Sequence, residues 1–292
     1  MNIKTIAVLG TGLMGAPMAK RLLNAGLEVH VWNRSPDKAQ ALDAFGATVA
    51  ATAAQAAAQA DVVITMLQDG DAVGHVLFTQ GVAKAMQAHA VVVDMSSIAP
   101  AQAQTHAQQL ANLGLKHIDA PVSGGTVGAE QGLLAIMAGG DIAVFELLTA
   151  VFAPLGRAIH VGPSGSGQLA KLANQMIVGI TIGAVAEALL LAEKGGADMA
   201  KVREAISGGF AQSRILDLHG QRMVDRDFTK RAAMAVQLKD MRNALSTAHS
   251  LGFEAPVTAM FEDLYAQAIN NGLADLDHSA LFVELAQRNG MR

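Results

Sequence analysis

Three groups of residues in this chain have the types and spacings to do chemistry. The first is Gly10-Thr11-Gly12-Leu13-Met14-Gly15, a G-x-G-x-x-G run that follows the apolar stretch Ile6-Ala7-Val8-Leu9 and opens a helical one. In that setting Gly10 permits a tight turn, Gly12 lets backbone amides approach a pyrophosphate, and Gly15 lets helix and strand pack closely. The amides at the helix start and the positive end of its dipole then favour an anion. A dinucleotide is expected here. About 20 residues on, where an NAD site carries an acidic residue for the ribose hydroxyls, the chain has Asn33-Arg34-Ser35. A carboxylate would repel a 2′-phosphate, whereas a guanidinium pairs with it and a serine hydroxyl adds a hydrogen bond. NADP is therefore the expected cofactor, NADPH preferred and NADH possible. A solvated arginine partnered by Asp37 is the alternative.

The second group lies at two strand ends, Asp94-Met95-Ser96-Ser97-Ile98-Ala99-Pro100 and Asp119-Ala120-Pro121-Val122-Ser123-Gly124-Gly125. The carboxyl ends of strands are where ligands bind in open α/β sheets. Ser123 with Gly124 and Gly125 offers a hydroxyl and unobstructed amides, a seat for a carboxylate, and an ordinary turn explains the same residues equally well. The third group is Gly165-Ser166-Gly167-Gln168-Leu169-Ala170-Lys171-Leu172-Ala173-Asn174-Gln175. Asn174 and Gln175 follow Lys171 by three and four residues, so all three share a helix face. A lysine there can hold its charge beside a polarised carbonyl oxygen and donate a proton as the oxygen becomes an alkoxide. From spacing alone a lysine with its head in water is the commoner arrangement.

The elements that must position these groups alternate. Apolar runs at 6–9, 28–32, 61–67, 90–94, 117–120 and 134–138 read as strands, with helical stretches between them at 15–24, at 37–45 and in the alanine-rich 50–60. That order implies right-handed βαβ units and a doubly wound Rossmann sheet over residues 1–163. Beyond Pro163-Ser164-Gly165-Ser166-Gly167 the periodicity is helical, so residues 164–292 are expected to form an all-α domain, joined by a long interdomain helix over about 168–194. The stretch 176–192 is almost wholly apolar, but it is short for a bilayer and contains Glu187, so a buried helix is expected rather than a membrane span.

Composition narrows the classes. A net charge of −4 in 292 residues gives no electrostatic case for nucleic acid or an anionic membrane. The absence of cysteine excludes disulfides and thiolate catalysis. The nine histidines are scattered, so no metal site is expected. The N-terminal residues run directly into a strand pattern, so no signal peptide is expected, and a cytoplasmic location is.

The glycine run, the Asp94–Pro100 and Asp119–Gly125 segments and the Gly165-x-Gly167-x-x-x-Lys171-x-x-Asn174 run resemble, in type and order, the motifs of the β-hydroxyacid dehydrogenases, the 3-hydroxyisobutyrate dehydrogenase-like family. The resemblance covers essentially the whole chain. It implies an NADP-dependent oxidoreductase acting on CH–OH groups and a small carboxylated substrate. It further implies Lys171 as general acid in reduction and base in oxidation, and Asn174 as the residue orienting the substrate. Ser123, Gly124 and Gly125 become the loop for the substrate carboxylate, and Ser97 a hydroxyl beside the nicotinamide. Leu67 and Gln68 match a strand-end pair over the cofactor that is Leu-Pro in many members, so Gln68 is a departure. Lys239 matches a lysine that closes over cofactor and substrate. The stretches 208–213, 224–228 and 277–281 resemble the tartronate semialdehyde reductase branch, implying reduction of tartronate semialdehyde to glycerate. 3-Hydroxyisobutyrate dehydrogenase and glyoxylate or succinic semialdehyde reductase are the alternatives within the family, and a non-catalytic NADP-binding sensor is the alternative outside it. A homodimer or homotetramer is expected.

Overall fold

The computed structural model describes residues 3–291, and the chain forms two compact units, Met1–Lys171 and Leu172–Arg292. The first unit holds one sheet of strands β1 (Thr5–Leu9), β2 (Glu28–Trp32), β3 (Thr48–Val49), β4 (Val62–Thr65), β5 (Val91–Asp94), β6 (Lys116–Asp119), β7 (Val122–Ser123), β8 (Leu134–Gly140) and β9 (Gly156–Gly162). Their order is β3-β2-β1-β4-β5-β6-β8-β7, with β9 also on β8. From β3 to β6 every pairing is parallel, while β8 runs antiparallel to β6 and β7. The order 3-2-1-4-5-6 is that of a Rossmann domain, and its switch point lies between β1 and β4.

Both faces of the parallel strands are covered, which is why they read as continuous apolar runs. Ile6, Val8, Ile64 and Val93 pack on one side with Met18 and Leu22, and Ala7, Leu9, Val63 and Val92 on the other with Ala56, Leu77 and Leu110. The register aligns Leu9, Thr65, Asp94 and Asp119 as one row across the carboxyl ends of β1, β4, β5 and β6.

Several local expectations are corrected. The helix expected over 37–45 is a helix at Pro36–Gln40 and a separate 3-10 turn at Asp43–Phe45. The Leu42 amide already bonds three residues back to Ala39, and Gly46 ends the turn at φ 91°. In the alanine-rich stretch only Ala53–Ala57 is helical, started by the Thr52 hydroxyl accepting from the Gln55 amide. Strands β3, β7 and β9 were not anticipated. In β9 the usual alternation is inverted. Ile159 and Val161 are exposed, while His160 is partly buried, tilted against the Phe145 ring and bonded to the Gly140 carbonyl at 2.8 Å.

The second unit is helical among its described residues, with one isolated bridge between Ala233 and Asp277. Its core gathers Ile182, Leu189, Met223, Met241, Tyr265 and Phe282. The helix Ser166–Lys194 is long and apolar enough to cross a membrane by length and composition alone. Its Ile182, Ala186 and Leu189 are instead packed in this unit's own core. Gly179 and Gly183 have no side chain to spare on that face: a Cβ would lie 2.5 Å from the Gln237 amide nitrogen and 2.0 Å from the Phe261 ring.

Candidate active site

The glycine run forms a turn between β1 and the helix Gly15–Asn24. Gly10 sits at φ 105°, its amide bonded to the Trp32 carbonyl, and a Cβ there would lie 2.3 Å from the Met66 carbonyl oxygen. At Gly15 a Cβ would fall 1.9 Å from the Gly10 oxygen, so this glycine serves the close packing of helix on strand. Gly12 differs: a Cβ there would meet nothing within 4 Å. The backbone at Gly12 borders open space, as a phosphate cradle requires. No side chain caps the helix and its first turn carries no acid.

Asn33 links this turn to the end of β2. Its Oδ1 accepts from the Thr11 amide at 3.0 Å and its Nδ2 donates to the Ser35 carbonyl at 3.0 Å. The Thr11 hydroxyl is buried with no hydrogen-bond partner in the structure. Gly10, Gly12, Asn33, Arg34, Ser35, Leu67 and Gln68 come together on one cleft of about 450 Å³, whose wall also includes Trp32, Lys38, Ala72 and Val76. Of the other expected residues of the run, Thr11 is buried, Leu13 is exposed and Met14 packs partly against the core. Among the described residues no ion pair joins Arg34 to Asp37. Lys38, four residues after Arg34, was missed in the sequence. It lies on the same cleft and adds a second cation to Arg34, with Asp71 the one carboxylate on the lining.

The carboxyl ends of β4, β5 and β6 are joined by buried side chains. Asp94 Oδ1 accepts from the Thr65 hydroxyl at 2.7 Å and from the Ser96 amide at 3.0 Å, and the Ser96 hydroxyl accepts from the Leu67 amide at 2.9 Å. Burial pushes the Asp94 carboxyl up to about 6, against the pull of those hydrogen bonds. Asp119 accepts from the Gly165 amide at 2.8 Å and the Gln168 amide at 2.9 Å, and burial raises it to about 6 as well, the Asp94 charge adding to the effect. Ser97 follows Ser96 and is partly buried. Ser123 ends β7 opposite Ala135 of β8, and Gly124 and Gly125 turn the chain at φ 141° and 63° into the short helix Gly125–Gln131. Those two glycines are exposed. Lys171 lies on the second turn of the long helix and is 9% exposed.

In the second unit, Asn174 and Lys239 are tied into one polar chain. Asn174 Nδ2 donates to Gln175 Oε1 at 2.9 Å, Gln175 Nε2 donates to Asp240 Oδ2 at 2.8 Å, and Lys239 Nζ stands 3.4 Å from Asp240 Oδ1. The sequence reading named the two ends of this chain and missed Asp240, which a charge beside Lys239 could have flagged. His219, Asp277 and His278 cluster closely enough to hold a metal ion. A cation already bridges two of them: the Arg222 guanidinium lies 3.1 Å from Asp277 Oδ1 and 3.2 Å from His219 Nδ1. Asp277 also accepts from the Ala232 and Ser279 amides and the Ser279 hydroxyl, so its lone pairs are committed to holding this corner of the fold.

Both parts of the chain match known protein families. Residues 5–162 match the NAD-binding domain of 6-phosphogluconate dehydrogenase, and residues 165–285 match the NAD-binding region of NADP-dependent 3-hydroxyisobutyrate dehydrogenase. The chain is 45% identical over 278 residues to 2-hydroxy-3-oxopropionate reductase of Escherichia coli (strain K12), covering 94% of this chain and 95% of that one. It is 38% identical to a probable 3-hydroxyisobutyrate dehydrogenase-like protein of Arabidopsis thaliana, covering 98% and 86% of the two chains. The structure of Mycobacterium tuberculosis 3-hydroxyisobutyrate dehydrogenase with L-serine superposes with a TM-score of 0.89 at 33% identity, covering 97% and 99%.

Proposed function

The chain belongs to the 3-hydroxyisobutyrate dehydrogenase-like family of nicotinamide-dependent β-hydroxyacid dehydrogenases, and from that premise we propose that it uses NADPH to reduce tartronate semialdehyde to glycerate. The observation that carries the cofactor half of this reading is the cleft on which the open backbone of Gly12 shares a wall with the cations Arg34 and Lys38. Ser35 offers a hydroxyl on the same rim, and the residues after β2 are Asn33-Arg34-Ser35, so the cleft's carboxylate, Asp71, comes from another segment. The substrate half is supported by similarity to the E. coli reductase, whose substrate is a short aldehyde acid by its name.

When bound, the nicotinamide supplies a hydride equivalent to the aldehyde carbon. The chain supplies the rest. The glycine turn and the helix start hold the pyrophosphate through backbone amides. Lys171 keeps a positive charge beside the carbonyl oxygen and delivers the proton that completes the alcohol, a contribution of about 100-fold to 10,000-fold for a well-placed general acid. Asn174, one turn further along the helix, orients the substrate, and Ser123, Gly124 and Gly125 offer a hydroxyl and amides to its carboxylate. Ser97 and the Leu67–Gln68 pair would help hold the nicotinamide, and Lys239 would contact the ligands, as the family resemblance implies.

Following NADPH oxidation with tartronate, methylmalonate and succinate semialdehydes and glyoxylate tests the reading. The highest kcat/KM is expected with tartronate semialdehyde. A tenfold preference for another aldehyde, about 1.4 kcal/mol of discrimination, would move the chain to that branch. NADPH binding without turnover of any of them would favour the sensor.

A further inference from the structure

The long helix begins with a glycine at its cap, so its own sequence provides no side chain to satisfy its first amides. The acceptors come from 46 and 49 residues earlier in the chain, where the two oxygens of Asp119 take the Gly165 and Gln168 amides. Asp119 is fully buried, and the helix start is pressed onto the sheet around it. A Cβ at Gly167 would lie 2.4 Å from the Asp119 and Met137 carbonyl oxygens, and one at Gly139 would lie 2.6 Å from the Gly167 nitrogen. The next side chain, Gln168, is also fully buried. Its Nε2 donates to the Ser96 carbonyl at 2.8 Å and its Oε1 accepts from the Ile98 amide at 3.1 Å, so it brackets Ser97 from both sides.

We propose that Asp119 and Gln168 are positioning residues for Lys171, holding the head of the long helix in one rotation and height relative to the ends of β5 and β6. Gln168 and Lys171 are three residues apart and lie one turn apart on the same face, so fixing the first fixes the origin of the second. Four hydrogen bonds, two of them to a carboxylate, define that origin. Without them the helix start loses its bonds to the ends of β5 and β6, and displacement of a reacting group by about 1 Å costs roughly 100-fold in rate. The glycine turn at β1 shares none of these bonds. The proposal rests on the reading of Lys171 as proton donor.

The experiment compares the full-length enzyme with Gln168→Leu, Asp119→Asn and Lys171→Ala variants and with the Gln168→Leu/Lys171→Ala double variant. NADPH affinity, KM and single-turnover rate are measured for each. Leucine keeps the bulk of Gln168 and removes its donor and acceptor. Asparagine presents an N–H to an amide N–H and is expected to lower Tm, so Gln168→Leu carries the decision. Gln168→Leu should retain NADPH affinity and KM within about threefold and lose about 100-fold in rate. In the Lys171→Ala background the same change should alter the residual rate by less than about threefold, because the two residues act as one unit. Equal losses in both backgrounds, or an unchanged rate in folded Gln168→Leu, would overturn the proposal while leaving Lys171 in place. A normal rate in Lys171→Ala alone would instead remove the premise.

Discussion

Two helix starts in this molecule face the same physical problem and solve it in opposite ways. Each presents unsatisfied amides and the positive end of a dipole. At Gly15–Asn24 no side chain caps the amides and no acid lies in the first turn. At Ser166–Lys194 a buried carboxylate from the end of β6 accepts from the Gly165 and Gln168 amides, and the Pro163 carbonyl accepts from that of Ser166. The first end is left for an anion from outside, and the second has its anion built in. The glycines repeat the contrast. Gly10, Gly15, Gly139 and Gly167 are small because backbone crowds them, while Gly12 is small beside open space. A glycine-rich helix start is therefore a ligand site only where the space in front of it is not filled by the protein.

Substitutions at these ends separate the two roles. The largest effect is expected at Gly15→Ala, whose methyl would meet the Gly10 oxygen at 1.9 Å. The turn must shift, and a stability loss of about 3 kcal/mol is expected in a denaturant titration. An unchanged unfolding midpoint would show that the packing role is misassigned. Next is Arg34→Asp, which puts a carboxylate on the cleft rim and should weaken NADPH by about 100-fold, with NADH changed little. Equal losses for both cofactors would break the 2′-phosphate reading.

A smaller effect concerns the strand that supplies the built-in anion. His117 on β6 is buried with neither ring nitrogen partnered, and burial, with the His106 charge adding, holds it down at about 3. Its folded form thus resists protonation that the unfolded chain accepts near 6.5, so stability is complete at neutral pH and falls as pH drops below that value. His117→Leu should remove about 2 kcal/mol of the acid destabilisation at pH 5. Identical pH profiles for the two proteins would argue against a neutral buried imidazole. The smallest effect is expected at Gly12→Ala. The methyl meets no protein atom, so Tm should hold while NADPH affinity falls about tenfold, or about 1.4 kcal/mol. A loss of Tm without loss of affinity would reverse the roles assigned to Gly12 and Gly15.

The parallel strands and the glycine turn were readable because each is encoded locally: β1, β4 and β5 are buried on both faces, and G-x-G-x-x-G is a short-range backbone pattern. The position of Arg34 at the end of β2 followed from the same local count. Lys38 was missed although it stands at helical spacing from Arg34, because Asp37 was the charge weighed beside Arg34. The inverted exposure of β9 hid that strand, since Ile159 and Val161 face outward. Asp119 and Gln168 could be quoted inside motifs but not understood. Their partners lie tens of residues away, at Gly165, Ser96 and Ile98, and nothing in linear spacing reveals a cap supplied by another strand.

The chemical assignment of Lys171 is tested most directly by mixing NADPH-loaded Lys171→Ala enzyme with tartronate semialdehyde and following a single turnover. The account predicts normal NADPH binding and hydride transfer slowed by about 100-fold or more; transfer near the wild-type rate would contradict it.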